Sequence, residues 1–423
     1  MKQYPKCKNS KISWIGDVPE YWGIHKIREH FRERKEKVSD KDFAPLSVTK
    51  IGIVPQLEDA CKTDNGDNRK LVRKGDFVVN SRSDRKGSCG ISPLDGSVSL
   101  INIVLTPYKI NSGFVHYLLR SNDYIEEFYR NGRGIVADLW TTRYSEMRNI
   151  FIPYPPADEQ QAIVEFLDTA VDKIDRYIAA KEAEIEKLGT LKQSVISQAV
   201  TKGLNPAAPM KDSGIDWMNS IPQHWEIHSI KQHFGIQKRI AGKEGYNVFS
   251  ITQNGLKVKD ISQNDGQMAA NYSGYQFVYP GDFAMNHMDL ITGGVGLSTA
   301  FGVTSPDYRV FELFDNNNCY SEYYLRVFQI CYWRRIFYRY GRGAASTGRW
   351  RLPAKAFLNF QIPVPSIKEQ KEIVKYINEQ IEKIDTSISN IRQQIAKLKV
   401  YKQRLISDAV TGKIDVRFTE KEY

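Results

Sequence analysis

From Ile377 onward the chain places an apolar residue at every fourth and third position in turn: Ile377, Ile381, Ile384, Ile388, Ile391, Ile395 and Leu398. That alternation is a heptad seam, narrower than the stripe of a helix lying on a globular core, and it predicts a helix packed along one edge against another helix. An earlier stretch keeps Leu167, Val171, Ile174, Ile178, Ile185 and Leu188, with Lys181 interrupting. Gly189 then falls inside the predicted helix, at a cost of ~1 kcal/mol, and the seam is expected to slip to Leu191, Val195 and Ala199. Two such seams in one chain most simply pack against each other.

The two stretches are copies. At a constant offset of 210, Ile152, Pro153, Pro155, Glu159, Gln160, Lys173, Ile174, Asp175 and Val200 recur as Ile362, Pro363, Pro365, Glu369, Gln370, Lys383, Ile384, Asp385 and Val410. Each helix is approached through prolines. Ser366 with Glu369 predicts a capping box, and Gly203 with Pro206 and Pro209 beyond it predicts the first helix's end. About 43 residues at ~1.5 Å rise make a rod of roughly 65 Å.

The repeat extends further. Residues 11–31 align with 214–234, pairing Trp14/Trp217, Pro19/Pro222, Trp22/Trp225, His25/His228, His30/His233 and Phe31/Phe234. Strand-like runs follow at 44–54 and 71–80, matched by 247–258 and 276–286. Gly75-Asp76-Phe77 answers Gly281-Asp282-Phe283, and Asn80 answers Asn286. Aromatic helices are predicted over 114–129 and 323–340, each closing on a Gly-Arg-Gly turn at 132–134 and 341–343. Residues 81–113 and their counterpart diverge almost completely. The expected fold class is therefore α+β with a pseudo-two-fold internal repeat. Two globular domains (1–155 and 206–365) alternate with two long helices (156–205, and 366–423 with a C-terminal tail) that pair as an antiparallel coiled coil.

Charge sharpens this. The formal net charge is +11. Residues 1–155 carry +7 and 206–366 carry +4, while 156–205 and 367–423 carry −3 and +3. Basic domains on nearly neutral rods suggest a polyanion for the domains and a protein partner for the rods. The five cysteines, Cys7, Cys61, Cys89, Cys319 and Cys331, show no CxxC spacing and fit reduced thiols of a cytoplasmic protein. No apolar run approaches a membrane span and no signal-peptide core is read at the N-terminus, so no membrane partner is expected.

Candidate chemistry is thin. His224, His228 and His233 could suggest a metal, but the first copy places Tyr21 at the position matching His224 and supplies no carboxylate or thiol cluster, so paired Trp and His in a packed turn is the better account. Asp76, Asp84 and Lys86 have the spacing of a D…DxK nuclease triad, yet the second copy has Leu290 and Ile291 after Asp289. IPYPP at 152–156 faintly resembles the NPPY-type loop of amino-methyltransferases without its leading Asn, and no GxxxxGK[ST] is present. No catalytic residue and no metal ligand is assigned.

Two variable basic domains, each leading through IP-x-P…EQ…I into a long helix ending I-S-x-A-V-T, resemble the DNA-specificity subunit of type I restriction–modification enzymes over essentially the whole chain. The resemblance rests on Trp14, Pro19, Trp22, Gly75-Asp76-Phe77, Pro153, Pro155, Glu159, Gln160 and their twins. It implies two target-recognition domains that read the halves of a split sequence in double-stranded DNA. It implies helices that space the domains and dock two methyltransferase subunits, and a motor-nuclease restriction subunit that joins for cleavage. S-adenosylmethionine, ATP and Mg²⁺ would belong to those partners and no cofactor to this chain. Candidate DNA contacts are Arg82, Arg85, Lys86, Arg133 and Arg143 in the first domain, and Asn286, His287, Arg342, Arg349 and Arg351 in the second. A coiled-coil scaffold without DNA would not need two divergent basic domains. A stand-alone nuclease would cut with Mg²⁺ and no other subunit.

Overall fold

The computed structural model describes residues 2–58, 66–134, 140–253, 255–260, 271–343 and 350–418. The chain divides into two compact units, Met1–Lys181 with Arg392–Tyr423, and Glu182–Ile391. The division falls inside both long helices, Ala157–Lys202 and Ile367–Val410.

In the first unit an antiparallel sheet runs Cys89–Ile91, Phe77–Asn80, Asn102–Pro107, Phe31–Glu33. Strand alternation gives it two different faces. Phe77, Val79, Ile103 and Leu105 point into the main core, while Val78 and Val104 join Leu46, Ile53, Val72 and Val98 on the other side. The run at 44–54, read as one strand, is a hairpin of Leu46–Thr49 and Gly52–Pro55, because Gly52 takes a positive φ and turns the chain. The aromatic helix is likewise two helices, Ser112–Leu118 and Asn122–Arg130. The second starts where the Ser121 side chain accepts from the Tyr124 N–H.

In the second unit the sheet order is Phe234–Gln237, Arg309–Leu313, Phe283–Met285, Val295–Leu297, which is the order of the first read from its other edge. Phe283, Met285 and Phe311 face the main core, and Ala284 and Val310 the smaller one. The run at 247–258 is again a hairpin, Phe249–Thr252 with Gly255–Val258. In each unit the IP-x-P strand pairs antiparallel with the strand after the tryptophan: Phe151–Tyr154 with Gly23–Lys26, and Gln361–Val364 with Glu226–Ser229.

The Gln of each EQ pair fixes how its helix leaves that strand. Gln160 Oε1 accepts from the Asn111 N–H at 2.8 Å and its amide donates to the Pro155 carbonyl at 2.9 Å. Gln370 does the same with Tyr320 (2.7 Å) and Pro365 (2.8 Å). The capping box at Ser366 is half made. Ser366 Oγ accepts from the Glu369 N–H at 3.3 Å, while the Glu369 carboxylate faces His224 at 2.9 Å.

Each unit brings residues of both long helices into one core. In the first unit Ile163 and Leu167 share a core with Leu405, Ile406, Ala409 and Val410. In the second, Ile196, Ala199 and Val200 share one with Ile373, Val374 and Ile377. The helices therefore run antiparallel within each unit. Ile178, Ile384, Ile391 and Ile395 are buried, and Val171, Ile174, Ile185, Leu188, Ile381, Ile388 and Leu398 are half-buried. Gly189 does not break the helix. The expected slip differs: Leu191 is 50% exposed, and Lys192 takes the half-buried line instead, binding Asp385 at 2.8 Å. Its counterpart in the first unit is Lys402 with Asp175 at 2.6 Å. An exposed Leu costs little, whereas the ammonium gains a carboxylate by leaning on the seam.

Candidate nucleic-acid interface

In both units the Gly-Asp-Phe turn is a buried electrostatic joint. Gly75 and Gly281 both adopt φ +93°, which the turn requires. Asp76 accepts from the Arg73 N–H at 2.9 Å, from Arg34 at 2.7 and 3.1 Å, and from Thr106 at 2.8 Å. Asp282 accepts from the Tyr279 N–H at 2.7 Å and from Arg239 at 2.6 Å. Asp76 is committed to this joint, Asp84 pairs with Arg82 and Arg85, and Lys86 pairs with Glu126. Among the described residues these three form no metal-holding cluster.

Beyond that joint the first unit gathers its candidate cations. Ser83–Arg85 is a single 3₁₀ turn. Arg82 and Arg133 both bridge to Thr141, and Ser83 N donates to the Trp140 carbonyl at 3.0 Å. Arg82, Arg85 and Arg133 are thus brought to one place. Asp84 holds Arg82 at 3.1 Å and Arg85 at 3.7 Å. Lys86 binds Glu126 at 2.6 Å, and the well-exposed Arg133 lies 3.8 Å from Glu146. Arg143, exposed, starts the short helix Tyr144–Met147. Arg82 and Arg85 also line a groove of ≈ 1110 Å³ with Lys50, Asn80, Ser99 and Asn102.

Trp140 is the residue that sequence reading passed over. Its indole N–H donates to the Tyr129 carbonyl at 2.7 Å and its ring covers Gly132, where a Cβ would meet Nε1 at 2.4 Å. The first glycine of Gly-Arg-Gly therefore makes room for a tryptophan that pins the turn. The second unit repeats the device with Trp350 on the Tyr338 carbonyl at 2.7 Å, over Gly341. The signal was present as Trp140/Trp350, at an offset matching the helix repeat, beside a stretch that otherwise varies.

In the second unit Arg342 and Arg351 bridge each other and are exposed. Arg342 lines a cavity of ≈ 680 Å³ with Arg339 and Lys355 above Trp217 and Phe360. Arg349 lies outside the described residues. Asn286 uses its carboxamide oxygen on its own turn, accepting from Met288 and Asp289 N–H groups at 3.2 Å. His287 is half-buried, and its carbonyl receives the Leu352 N–H at 2.9 Å. Burial, with Arg309 and Arg351 nearby, pushes the His287 ring down to about 4. Arg309 was also missed. It is buried (6% exposed) in the strand position that Ile103 fills in the first unit, and it donates to the Leu352 carbonyl at 2.8 Å. Burial lowers its guanidinium to about 10.

Both faces thus present guanidinium groups on a rigid backbone frame, a chemistry suited to phosphate and guanine. Residues 236–397 match the family model described as the type I restriction modification DNA specificity domain. The chain is similar along its length to specificity subunits of type I restriction enzymes. It is 21% identical to the putative MjaX specificity subunit of Methanocaldococcus jannaschii, over 98% of this chain and 99% of that one. It is 22% identical to the EcoDI specificity subunit of Escherichia coli, over 74% and 73%. A solved chain, from work on complex assembly and conformational transition of the type I R–M system, shares the fold with a TM-score of 0.66 at 15% identity, over 94% and 99%. The likeness first drawn from the motifs therefore holds over the whole chain. No helix among the described residues is long and apolar enough to cross a membrane.

Proposed function

We propose that this chain is the sequence-reading subunit of a type I restriction–modification complex in the cytoplasm, and that it does no chemistry itself. Residues 1–155 and 206–365 act as two target-recognition domains, each reading one half of a split site in double-stranded DNA. The helices of 156–205 and 366–423 pair as an antiparallel coiled coil, which sets the spacing and docks two methyltransferase subunits. A motor-nuclease subunit joins for cleavage, and S-adenosylmethionine, ATP and Mg²⁺ sit on those partners.

One observation carries this reading. The two units share a frame down to strand order, the Arg–Asp joint and the Trp-pinned turn, yet display different side chains on it: Arg82-Ser83-Asp84-Arg85 in one, His287-Met288-Asp289 in the other. A repeated frame with a divergent surface suits two independent readers. Arg82 and Arg85 share Asp84, so DNA must exchange that carboxylate for a phosphate or a guanine edge, which keeps the arginines from holding any polyanion tightly. Phosphate contacts would supply salt-dependent affinity, and a few base contacts the specificity.

The test is methylation mapping in cells that express this chain with its methyltransferase. A gapped, two-part motif is expected. Replacing 81–113 with the matching stretch of a relative should change the first half of that motif alone. A change in both halves overturns independent reading, and an ungapped motif overturns the split target.

A further inference from the structure

Three unlike donors converge in the second unit. His233 directly precedes the strand Phe234–Gln237, and Asp315 and Cys319 lie on the loop leading into the helix Ser321–Trp333. One ring nitrogen of His233, an Asp315 carboxylate oxygen and Cys319 Sγ all lie within 4.8 Å of one another. His233 and Cys319 are 4% and 2% exposed. Nδ1 already meets the carboxylate at 2.7 Å.

Each donor is held in place from behind. His233 Nε2 meets His228 Nδ1 at 2.8 Å, and His228 Nε2 meets Glu226 at 2.9 Å, so the imidazole is fixed with Nδ1 turned to the cluster. Asn318 donates to both Asp315 oxygens at 3.2 and 3.1 Å, and the Cys319 N–H donates to the Asp315 carbonyl at 3.1 Å. Outer partners of this kind orient the ligands of metal sites.

The first unit shows that the fold does not demand this set. There His25 Nδ1 meets His30 Nε2 in the same way at 2.7 Å, and Tyr108 N donates to the His30 carbonyl as Phe314 N does to that of His233. Lys109 follows Tyr108 where Asp315 follows Phe314, and His30 Nδ1 has no partner among the described residues. The carboxylate and the thiol are additions of the second unit to a shared histidine pair.

We propose that His233, Asp315 and Cys319 bind one Zn²⁺ ion, with water completing a tetrahedron. A mixed N, O, S set disfavours Mg²⁺ and Ca²⁺, which take oxygen ligands, and suits zinc. Bonds of ~2.0 Å to nitrogen and oxygen and ~2.3 Å to sulfur require the His233–Asp315 contact to open slightly as the ion enters. His233 binds as neutral imidazole, Asp315 as carboxylate and Cys319 as thiolate, its thiol proton leaving to solvent. The ion ties the start of a sheet strand to the loop before the aromatic helix. This inference does not depend on the proposed function.

The full-length chain is dialysed against buffered Zn²⁺ and its metal content measured, and Co²⁺ is then substituted. One equivalent of zinc is expected, with a thiolate-to-cobalt charge-transfer band retained in Cys7→Ser and lost in Cys319→Ser. Zinc should raise the melting temperature of the wild type and leave Cys319→Ser unmoved. Far less than one equivalent in the wild type, a cobalt spectrum without the thiolate band, or a band lost in Cys7→Ser overturns the proposal. So do equal zinc content and equal melting shifts in wild type and Cys319→Ser. Should Cys319→Ser fail to fold, the wild-type and Cys7→Ser cobalt spectra decide alone.

Discussion

Asp76 shows how much a residue's meaning depends on what it touches. By spacing it could have opened a nuclease triad with Asp84 and Lys86. In the fold it is 2% exposed and spent on Arg34, Thr106 and a turn N–H, and Asp282 repeats the arrangement with Arg239. Asp84 is 42% exposed and faces the two candidate DNA-binding arginines. Opposite outcomes follow for the same substitution. Asp76→Asn leaves Arg34 facing a neutral amide at a largely buried joint and should cost about 3 kcal/mol, the lower end for breaking such a pair because Arg34 is partly exposed. Asp84→Asn should change stability by no more than about 0.5 kcal/mol, and by releasing Arg82 and Arg85 it should tighten non-specific DNA binding and steepen its salt dependence. Urea melts and DNA titrations across a salt series check both. If Asp76→Asn is as stable as the wild type, the joint is not structural. If Asp84→Asn binds no tighter, those arginines do not meet DNA.

The long helices were the most legible elements, because a heptad seam repeats one signal many times and Ile377 through Leu398 all lie on the buried or half-buried line. The hairpins at 46–55 and 249–258 were read as single strands. Their turns rest on Gly52 and Gly255, whose positive φ is invisible to a pattern of apolar residues. The slip expected at Gly189 fails at Leu191 alone, since Val195 is half-buried and Ala199 buried as expected; a seam count sees Leu191 as apolar but cannot see that Asp385 waits for Lys192. Two substitutions separate these effects. Ile384→Asp buries a carboxylate at an 8%-exposed seam position and should lose about 2–3 kcal/mol or more, whereas the neighbouring exposed Lys383→Asp should stay within about 0.5 kcal/mol. A Cβ at Gly189 meets nothing within 4 Å, so Gly189→Ala should gain about 1 kcal/mol from helix propensity alone. Equal melting shifts for the two aspartate variants refute the seam. A destabilised Gly189→Ala refutes an unstrained helix there.

At the scale of the whole chain, the internal repeat was plain in the sequence, but what it does for folding was not. The first unit is not closed by its own stretch of sequence: Leu405, Ile406, Ala409, Val410 and Val416 complete its core from the other end of the chain. Tyr4 and Arg417 both approach the buried Glu159 carboxylate, and Lys2 bridges Asp415. No local pattern announces that dependence. The repeat nevertheless supplies a substitute, because Val195, Ile196, Ala199 and Val200 stand in the first helix where Leu405, Ile406, Ala409 and Val410 stand in the second. A fragment Met1–Asn205 therefore carries both an open core and a segment able to close one, but cannot use its own segment while the helix runs straight through 157–202. A second copy can, in reciprocal fashion, which gives a closed two-fold dimer. The exchange is imperfect: Val195 replaces the larger Leu405, and nothing in the fragment replaces the tail from Ile414 to Arg417 with the same residues. The dimer should thus be weaker than the covalent arrangement, though an open apolar seam of this length should still drive association at tens of micromolar, about 7 kcal/mol. With methyltransferase present it carries two copies of the first reader and none of the second, so the methylated motif should become an inverted repeat of the first half-site. Light scattering and methylation mapping of the fragment check the two steps separately. A fragment that stays monomeric at that concentration shows that 195–200 cannot stand in for 405–410. A dimer that modifies only asymmetric sites shows that the first unit does not read its half-site alone.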